Sequence, residues 1–234
     1  MKKLVCTILT LLFLVSFSTA QKRFVEKSFS MDNDDKVRLD LPFGDMISIK
    51  SWNKDEVLFK AEIEINGGKL NEALIFDFSH ENGRLDIESD YDEDMLKTGR
   101  REDCPDEYSR YSWSDDDSYY MVCSNIKYQV LVPRNADIGV ETISGDIELV
   151  HLSGPIHAKS ISGFVDLSWP SGESADIRIK TISGEAYTNL ENLHFKNKKE
   201  HIPLVGYELK GQIGSGGSLI VLESISGDIY LREK

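Results

Sequence analysis

The side chains of this chain best suited to chemistry are gathered between positions 90 and 123. Eleven acids fall between Asp90 and Asp117 against Lys97, Arg100, Arg101 and Arg110, a net charge of −7. Two tight runs, Asp92-Glu93-Asp94 and Asp115-Asp116-Asp117, offer the hard oxygen donors that calcium takes. Neither has EF-hand spacing, and acid runs also serve as plain solvated surface. Calcium is the one cation to consider, and the chemistry requires no cofactor. Aromatic rings are interleaved with the acids, and exposed rings present flat apolar faces with polar edges to a glycan or protein partner. The same rings would serve equally to pack the segment onto the rest of the fold. The partner-binding candidates are Tyr108, Tyr111, Trp113, Asp115, Asp116, Asp117, Tyr119 and Tyr120.

Other reactive groups are sparse. Of the three cysteines Cys6 lies in the N-terminal leader; the two that remain once it is cleaved, Cys104 and Cys123, bracket the segment, and that even count in an oxidising compartment predicts a bond between them, with two free thiols as the alternative. His151 and His157 share strand parity but lack a third metal ligand, and His80, His194 and His201 read as loop residues. The acids Asp146, Glu185 and Asp228 recur at matching places in short repeats, yet Pro155 and Phe164 fill the same slot elsewhere, so solvent-facing turn acids are expected there rather than calcium ligands. Ser215 sits in a glycine-rich turn with no recognisable base. No HExxH, GxSxG, P-loop or dinucleotide fingerprint is present. The sequence points to no catalytic and no metal-ligating residues, and the chain reads as a non-enzyme.

Charge and leader set the compartment. The 234 residues carry 27 Lys+Arg and 40 Asp+Glu, a formal charge of −13 that repels nucleic acid and anionic lipid. Lys2-Lys3, an apolar stretch from Leu4 to Phe17 and the small residues Ser18-Thr19-Ala20 have the layout of a secretory signal over residues 1–20. The stretch is too short and too interrupted for a spanning helix, so no stable membrane insertion is expected once it is cleaved. The mature chain is placed outside the cytoplasm, in the periplasm, at the surface or secreted.

The elements that must hold these groups are strands. Short alternating runs at Val37–Leu41, Met46–Ser51, Val57–Ile65, Ile75–Ser79, Arg84–Glu88 and Ile126–Val132 are separated by Asn-Gly and Asp-rich turns, with at most one helical turn over Lys69–Leu74. From residue 138 a motif repeats: Ile143-Ser144-Gly145-Asp146-Ile147, Leu152-Ser153-Gly154-Pro155-Ile156, Ile161-Ser162-Gly163-Phe164-Val165, Ile182-Ser183-Gly184-Glu185-Ala186 and Ile225-Ser226-Gly227-Asp228-Ile229. The first three glycines are nine residues apart. Even offsets about each glycine are mostly aliphatic, so residues such as Ile143 and Ile147 are expected on one buried face, with Gly145, Gly154, Gly163, Gly184 and Gly227 marking bends. One such strand cannot bury its face alone, but stacked copies can. The expected fold is all-β, a β-solenoid of short stacked strands over residues 21–234, with 90–123 as an acidic, disulfide-tethered insertion and 138–234 as the clearest repeats.

The repeated I-S-G-D-I, together with Gly44-Asp45-Met46-Ile47-Ser48-Ile49 and Trp52-Asn53-Lys54-Asp55-Glu56-Val57, resembles the bacterial "putative adhesin" domains of unknown function built from short β-strand repeats. The resemblance runs from about Val37 to Leu231 apart from the acidic segment. It implies a solenoid-like envelope or surface protein of a bacterium and defines no catalytic or binding residue. The functional expectation is a non-catalytic adhesin, envelope-binding or scaffold module that recognises a glycan or protein. An envelope-sensing or assembly component, or a polysaccharide-active enzyme on a β-solenoid, are the alternatives.

Overall fold

The computed structural model describes residues 22–32, 34–104, 109–115, 118–196 and 208–234. The leader, Asn33, and the segments 105–108, 116–117 and 197–207 lie outside them. Strands β1 (Arg23–Ser30), β2 (Lys36–Asp40), β3 (Met46–Trp52), β4 (Glu56–Ile65), β5 (Leu74–Glu81) and β6 (Arg84–Tyr91) come first. A short helix α1 (Glu93–Leu96) leads to the hairpin β7 (Ser109–Asp115) and β8 (Ser118–Pro133). Then follow β9 (Asp137–Thr142), β10 (Asp146–Val150), β11 (Ile156–Ser160), β12 (Val165–Trp169), β13 (Ala175–Thr181), β14 (Ala186–Thr188), β15 (Leu193–Phe195), β16 (Glu208–Ile213), β17 (Ser218–Ser224) and β18 (Ile229–Glu233). The helical turn expected over 69–74 is a single 3-10 turn at Asn71–Ala73. Strand β1 carries no clean apolar alternation, because it is an edge strand whose Phe24 is 70% exposed.

The all-β expectation holds, and the strands form two large mixed sheets. The first runs β1-β4-β8-β3-β10-β12-β18-β14, with β7 also on β8; the second runs β15-β16-β13-β17-β11-β9-β2-β6-β5. Five couplets, β2–β3, β9–β10, β11–β12, β17–β18 and β13–β14, each cross from the second sheet to the first and stack in parallel register. A regular solenoid coiling in chain order is not what the structure displays. The last couplet in sequence, β17–β18, is inserted between β11–β12 and β13–β14, and antiparallel strands close every sheet end except that at β14. The physical reason lies in the inward positions. Ile229 and Leu231 of β18 are fully buried, whereas Ala186 and Thr188 of β14 are exposed and suit the outermost place.

The core is a set of aliphatic ladders. Val37, Ile138, Ile156, Ile220 and Ile177 line up across the second sheet, and Ile49, Leu149, Leu167 and Leu231 across the first, all within 2% exposure. Each such side chain contributes about 1.5–3 kcal/mol of hydrophobic stabilisation.

The motif works differently from the sequence expectation at three points. First, Ile143, Ile182 and Ile225 are 49%, 40% and 38% exposed rather than buried with their partners across the glycine. The strand breaks at Ser-Gly, so alternation restarts there; the inward residue before the corner is instead Thr142, Ser160, Thr181 or Ser224. Second, the glycines are not needed for backbone bending, since none of the five has φ in the left-handed region. A Cβ on Gly163 would lie 2.0 Å from the Gly145 carbonyl oxygen, and one on Gly227 2.1 Å from that of Gly163. Side-chain-free corners are what let successive couplets touch. Third, Leu152-Ser153-Gly154 is not another copy of the same corner. It lies at the opposite corner, between β10 and β11, with Gly154 against the backbone of Asn135 and Ala136 and Leu152 fully buried. The nine-residue spacing is therefore half of an 18-residue couplet.

Hydroxyls complete the corner. Ser160 Oγ accepts the Gly163 N–H at 2.8 Å and donates to the Gly145 carbonyl at 2.9 Å; Ser224 does the same for Gly227 and Gly163, and Thr181 for Gly184 and Gly227. The motif aspartates bond the neighbouring layer of the stack. Asp45 accepts the Ile126 N–H at 2.7 Å, Asp146 that of Phe164 at 3.0 Å and Asp228 that of Glu185 at 2.9 Å.

Candidate functional site

The corner next to the acidic segment opens into a cleft of about 390 Å³. Strands β2 and β3 are joined there by Leu41-Pro42-Phe43-Gly44-Asp45, and Tyr128 donates from its hydroxyl to the Phe43 carbonyl at 2.9 Å. Tyr128 is buried, and burial raises its phenol pKa. Tyr91, the last residue of β6, stacks on Phe43 with ring centroids 4.1 Å apart. Just beyond, Asp92 caps α1 by accepting the Met95 N–H at 3.1 Å, and Leu96 turns inward. Tyr120 and Val122 of β8 form the opposite wall, and Ile143 with Ser144 closes the corner end. Val122 has the parity of Ile126, Tyr128 and Val130, so the cleft is the mouth of the core, where the interior face of the first sheet continues past the second.

The rim is acidic. Asp45, Asp90 and Glu93 line the opening, and among the described residues no Lys or Arg does. Burial pushes the Asp45 carboxyl up, against the pull of its hydrogen bond from Ile126 and the nearby Lys127. The wall carrying Tyr120 is held by a buried network. Asn66, at φ 47° and fully buried, accepts from the Cys123 N–H at 3.0 Å and donates to the Met121 carbonyl at 2.9 Å. Cys104 and Cys123 are bonded, with Cα atoms 5.7 Å apart. The Met121 N–H bonds the Gly99 carbonyl, and Gly99 packs so closely on Met121 that a Cβ would lie 2.5 Å from its oxygen.

The sequence candidates are only partly brought together. Tyr120 lines the cleft, half-buried against the core. Tyr111, Trp113 and Asp115 lie on β7 and Tyr119 on β8, with Trp113 opposite Tyr120 in register. Tyr108, Asp116 and Asp117 lie outside the described residues. The second half of the acidic segment is thus a hairpin that extends the first sheet. Phe43, Tyr91, Ile143, Asp45 and Asp90 are not assigned to a site from sequence, and Glu93 only as a calcium-donor candidate, because three separated segments supply them. The one available signal was Phe43 directly before Gly44-Asp45, an aromatic at a corner that elsewhere carries Ser. Among the described residues no group of three or more His, Cys, Asp or Glu side chains is arranged to hold a metal.

A second, shallower basin of about 290 Å³ lies on the outer face of the second sheet over Gly139, walled by Arg38, Asp40, Asp86, Glu88, Glu141 and His157. Burial first, then the Glu141 charge, raises the Asp40 carboxyl. Arg38 is bound to Asp137 at 3.1 Å, and Lys159 reaches Glu141 at 3.0 Å. Glu88, Asp40 and Glu141 occupy neighbouring positions on parallel strands, so they project the same way from one flat face.

No family model and no curated protein matches the sequence. Among solved structures the chain is similar to a "putative cell adhesion protein" from Clostridium sporogenes, at 12% identity over 92% of this chain and 100% of that one, TM-score 0.49. It is also similar to a "putative adhesin" from Bacteroides fragilis (11% identity, 92% and 99% coverage, TM-score 0.27) and a "putative lipid binding protein" from Parabacteroides distasonis (10%, 89% and 96%, TM-score 0.26). At these scores the likenesses assign neither a ligand nor a role.

Proposed function

We propose that the chain is a non-catalytic binding module of the extracytoplasmic bacterial envelope, and that it engages a partner protein or glycan at the cleft beside the acidic segment. The observation that carries this reading is the cleft itself: an aromatic and aliphatic mouth of about 390 Å³ with converging polar groups at its edge. The Cys104–Cys123 bond fits an oxidising compartment, and no helix among the described residues is long and apolar enough to cross a membrane. The five stacked couplets are the solenoid-like part of this picture, a rigid support with its interior filled by ladders.

The test is capture of envelope partners by mature protein in parallel with Ile143→Asp, which places a charge on the exposed lip of the cleft. Loss of capture with unchanged melting is expected. Unchanged capture would remove the cleft from the function, and release of reducing ends or unsaturated sugars from polysaccharide by the purified protein would overturn the non-catalytic assignment.

A further inference from the structure

The cleft does not end at Ile143. The Ser162 N–H bonds the Ile143 carbonyl, the Ser226 N–H that of Ile161 and the Ser183 N–H that of Ile225, each at 2.9 Å. Ile143, Ile161, Ile225 and Ile182 therefore stand on successive couplets and form an aliphatic ridge leading away from the cleft. The ridge spans three strand spacings, about 14 Å, which is the length of roughly four extended residues. The opposite corner shows that the architecture can bury an aliphatic next to Ser-Gly: Leu152 is at 0% exposure, while three of the four ridge residues are at 38–49%.

Charge selects the occupant. Asp45, Asp90 and Glu93 surround an opening lined by Phe43, Tyr91 and Tyr120, and among the described residues no Lys or Arg lines it. Aromatic faces attract an ammonium group and also cover its aliphatic stem, so a lysine side chain satisfies walls and rim together. Lys127 lies near Asp45 and Lys97 near Glu93, both outside the lining, and a neutral acyl chain or sugar would gain nothing from the acids. An anionic group would be repelled.

Resting on the binding-module reading, we infer that cleft and ridge together take an extended peptide segment of a partner protein, with a lysine in the cleft and aliphatic residues along the ridge. Long-range attraction by the acidic chain would speed the encounter, and the cleft and ridge would set the specificity.

The test uses mature protein and fluorescein-labelled heptapeptides carrying one lysine followed by three β-branched residues, read by anisotropy. Versions with norleucine or glutamate in place of lysine, and a set of neutral oligosaccharides, complete the panel. Binding of the lysine peptides is expected, weakened at least tenfold by norleucine and abolished by glutamate. Asp90→Asn combined with Glu93→Gln should weaken it about tenfold and Ile161→Ser several-fold. Ile75→Ser, at an exposed aliphatic on β5 away from the ridge, should leave it unchanged. Failure of all lysine peptides to bind, or equal binding of the norleucine and glutamate versions, overturns the inference. Neutral oligosaccharide binding that is lost in Ile143→Asp would overturn the peptide class and leave the binding module standing. Envelope-partner capture unaffected by Ile143→Asp would bring down both.

Discussion

Replacing Gly163 with alanine puts the glycine-to-glycine stacking under direct strain. The added Cβ would sit 2.0 Å from the Gly145 oxygen, 2.5 Å from its carbonyl carbon and 2.9 Å from the Asp146 nitrogen, all below the 3.0 Å that real Cβ atoms respect. Every atom it meets is backbone, so no side chain can swing aside. Relief requires two couplets to separate by about 1 Å. Overpacking of this kind costs about 1–3 kcal/mol. The same separation stretches the Ser160 bonds to Gly163 N–H and Gly145 O, buried bonds worth about 1 kcal/mol each. The expected destabilisation is therefore about 3–5 kcal/mol, or a melting temperature lower by roughly 10 °C in a chain of this size. Guanidinium unfolding monitored by tryptophan fluorescence reads it, since Trp169 is 1% exposed. Gly172→Ala is the control. That glycine has φ +80° and nothing within 4 Å, so the cost there is only backbone strain of about 1 kcal/mol. If Gly163→Ala lost no more stability than Gly172→Ala, close backbone approach could not be the reason for the motif glycine.

Ser160→Ala removes one hydroxyl that serves two buried backbone groups and should cost about 1–3 kcal/mol by the same unfolding assay. Replacing Cys104 and Cys123 together with serine should lower stability by about 3 kcal/mol, and intact-mass measurement of the wild type should show neither cysteine alkylated without reductant. Asp40 has its folded pKa raised, so between its unfolded and folded values the native state binds more protons and stability falls as pH rises. Asp40→Asn should accordingly be more stable than wild type at neutral pH. That advantage should shrink as pH drops through the folded pKa toward the ordinary carboxylate range, as thermal melts from pH 7 to 4 would show.

Much of the fold was legible in single residues. The strands at Met46–Trp52 and Glu56–Ile65 announce themselves through alternation, since each residue's facing is decided by its immediate neighbours. The turns at Asn66-Gly67-Gly68 and Asn82-Gly83 likewise follow from local chemistry, and all five residues adopt positive φ. The pairing of Cys104 with Cys123 needed only that Cys6 fall in the leader, leaving two cysteines a short loop apart. The corner repeat was legible as a pattern and misleading as to mechanism. Alternation across Ser-Gly presumes an unbroken strand, whereas the chain turns from one sheet to the other there, which exposes Ile143, Ile182 and Ile225.

The amino-acid sequence by itself determined the all-β character, the aliphatic ladders and the acidic balance, because these depend on residue type and on separations of two to five positions. Only the tertiary structure decided that β17–β18 slips between earlier couplets, that Leu152-Ser153-Gly154 belongs to the other corner, and that Phe43, Tyr91, Tyr120 and Ile143 meet. Those outcomes depend on which apolar faces find each other across tens of residues. Burial of Ile229 and Leu231 at the interior of the stack, with Ala186 and Thr188 left outermost, is a comparison between distant segments that no local window contains.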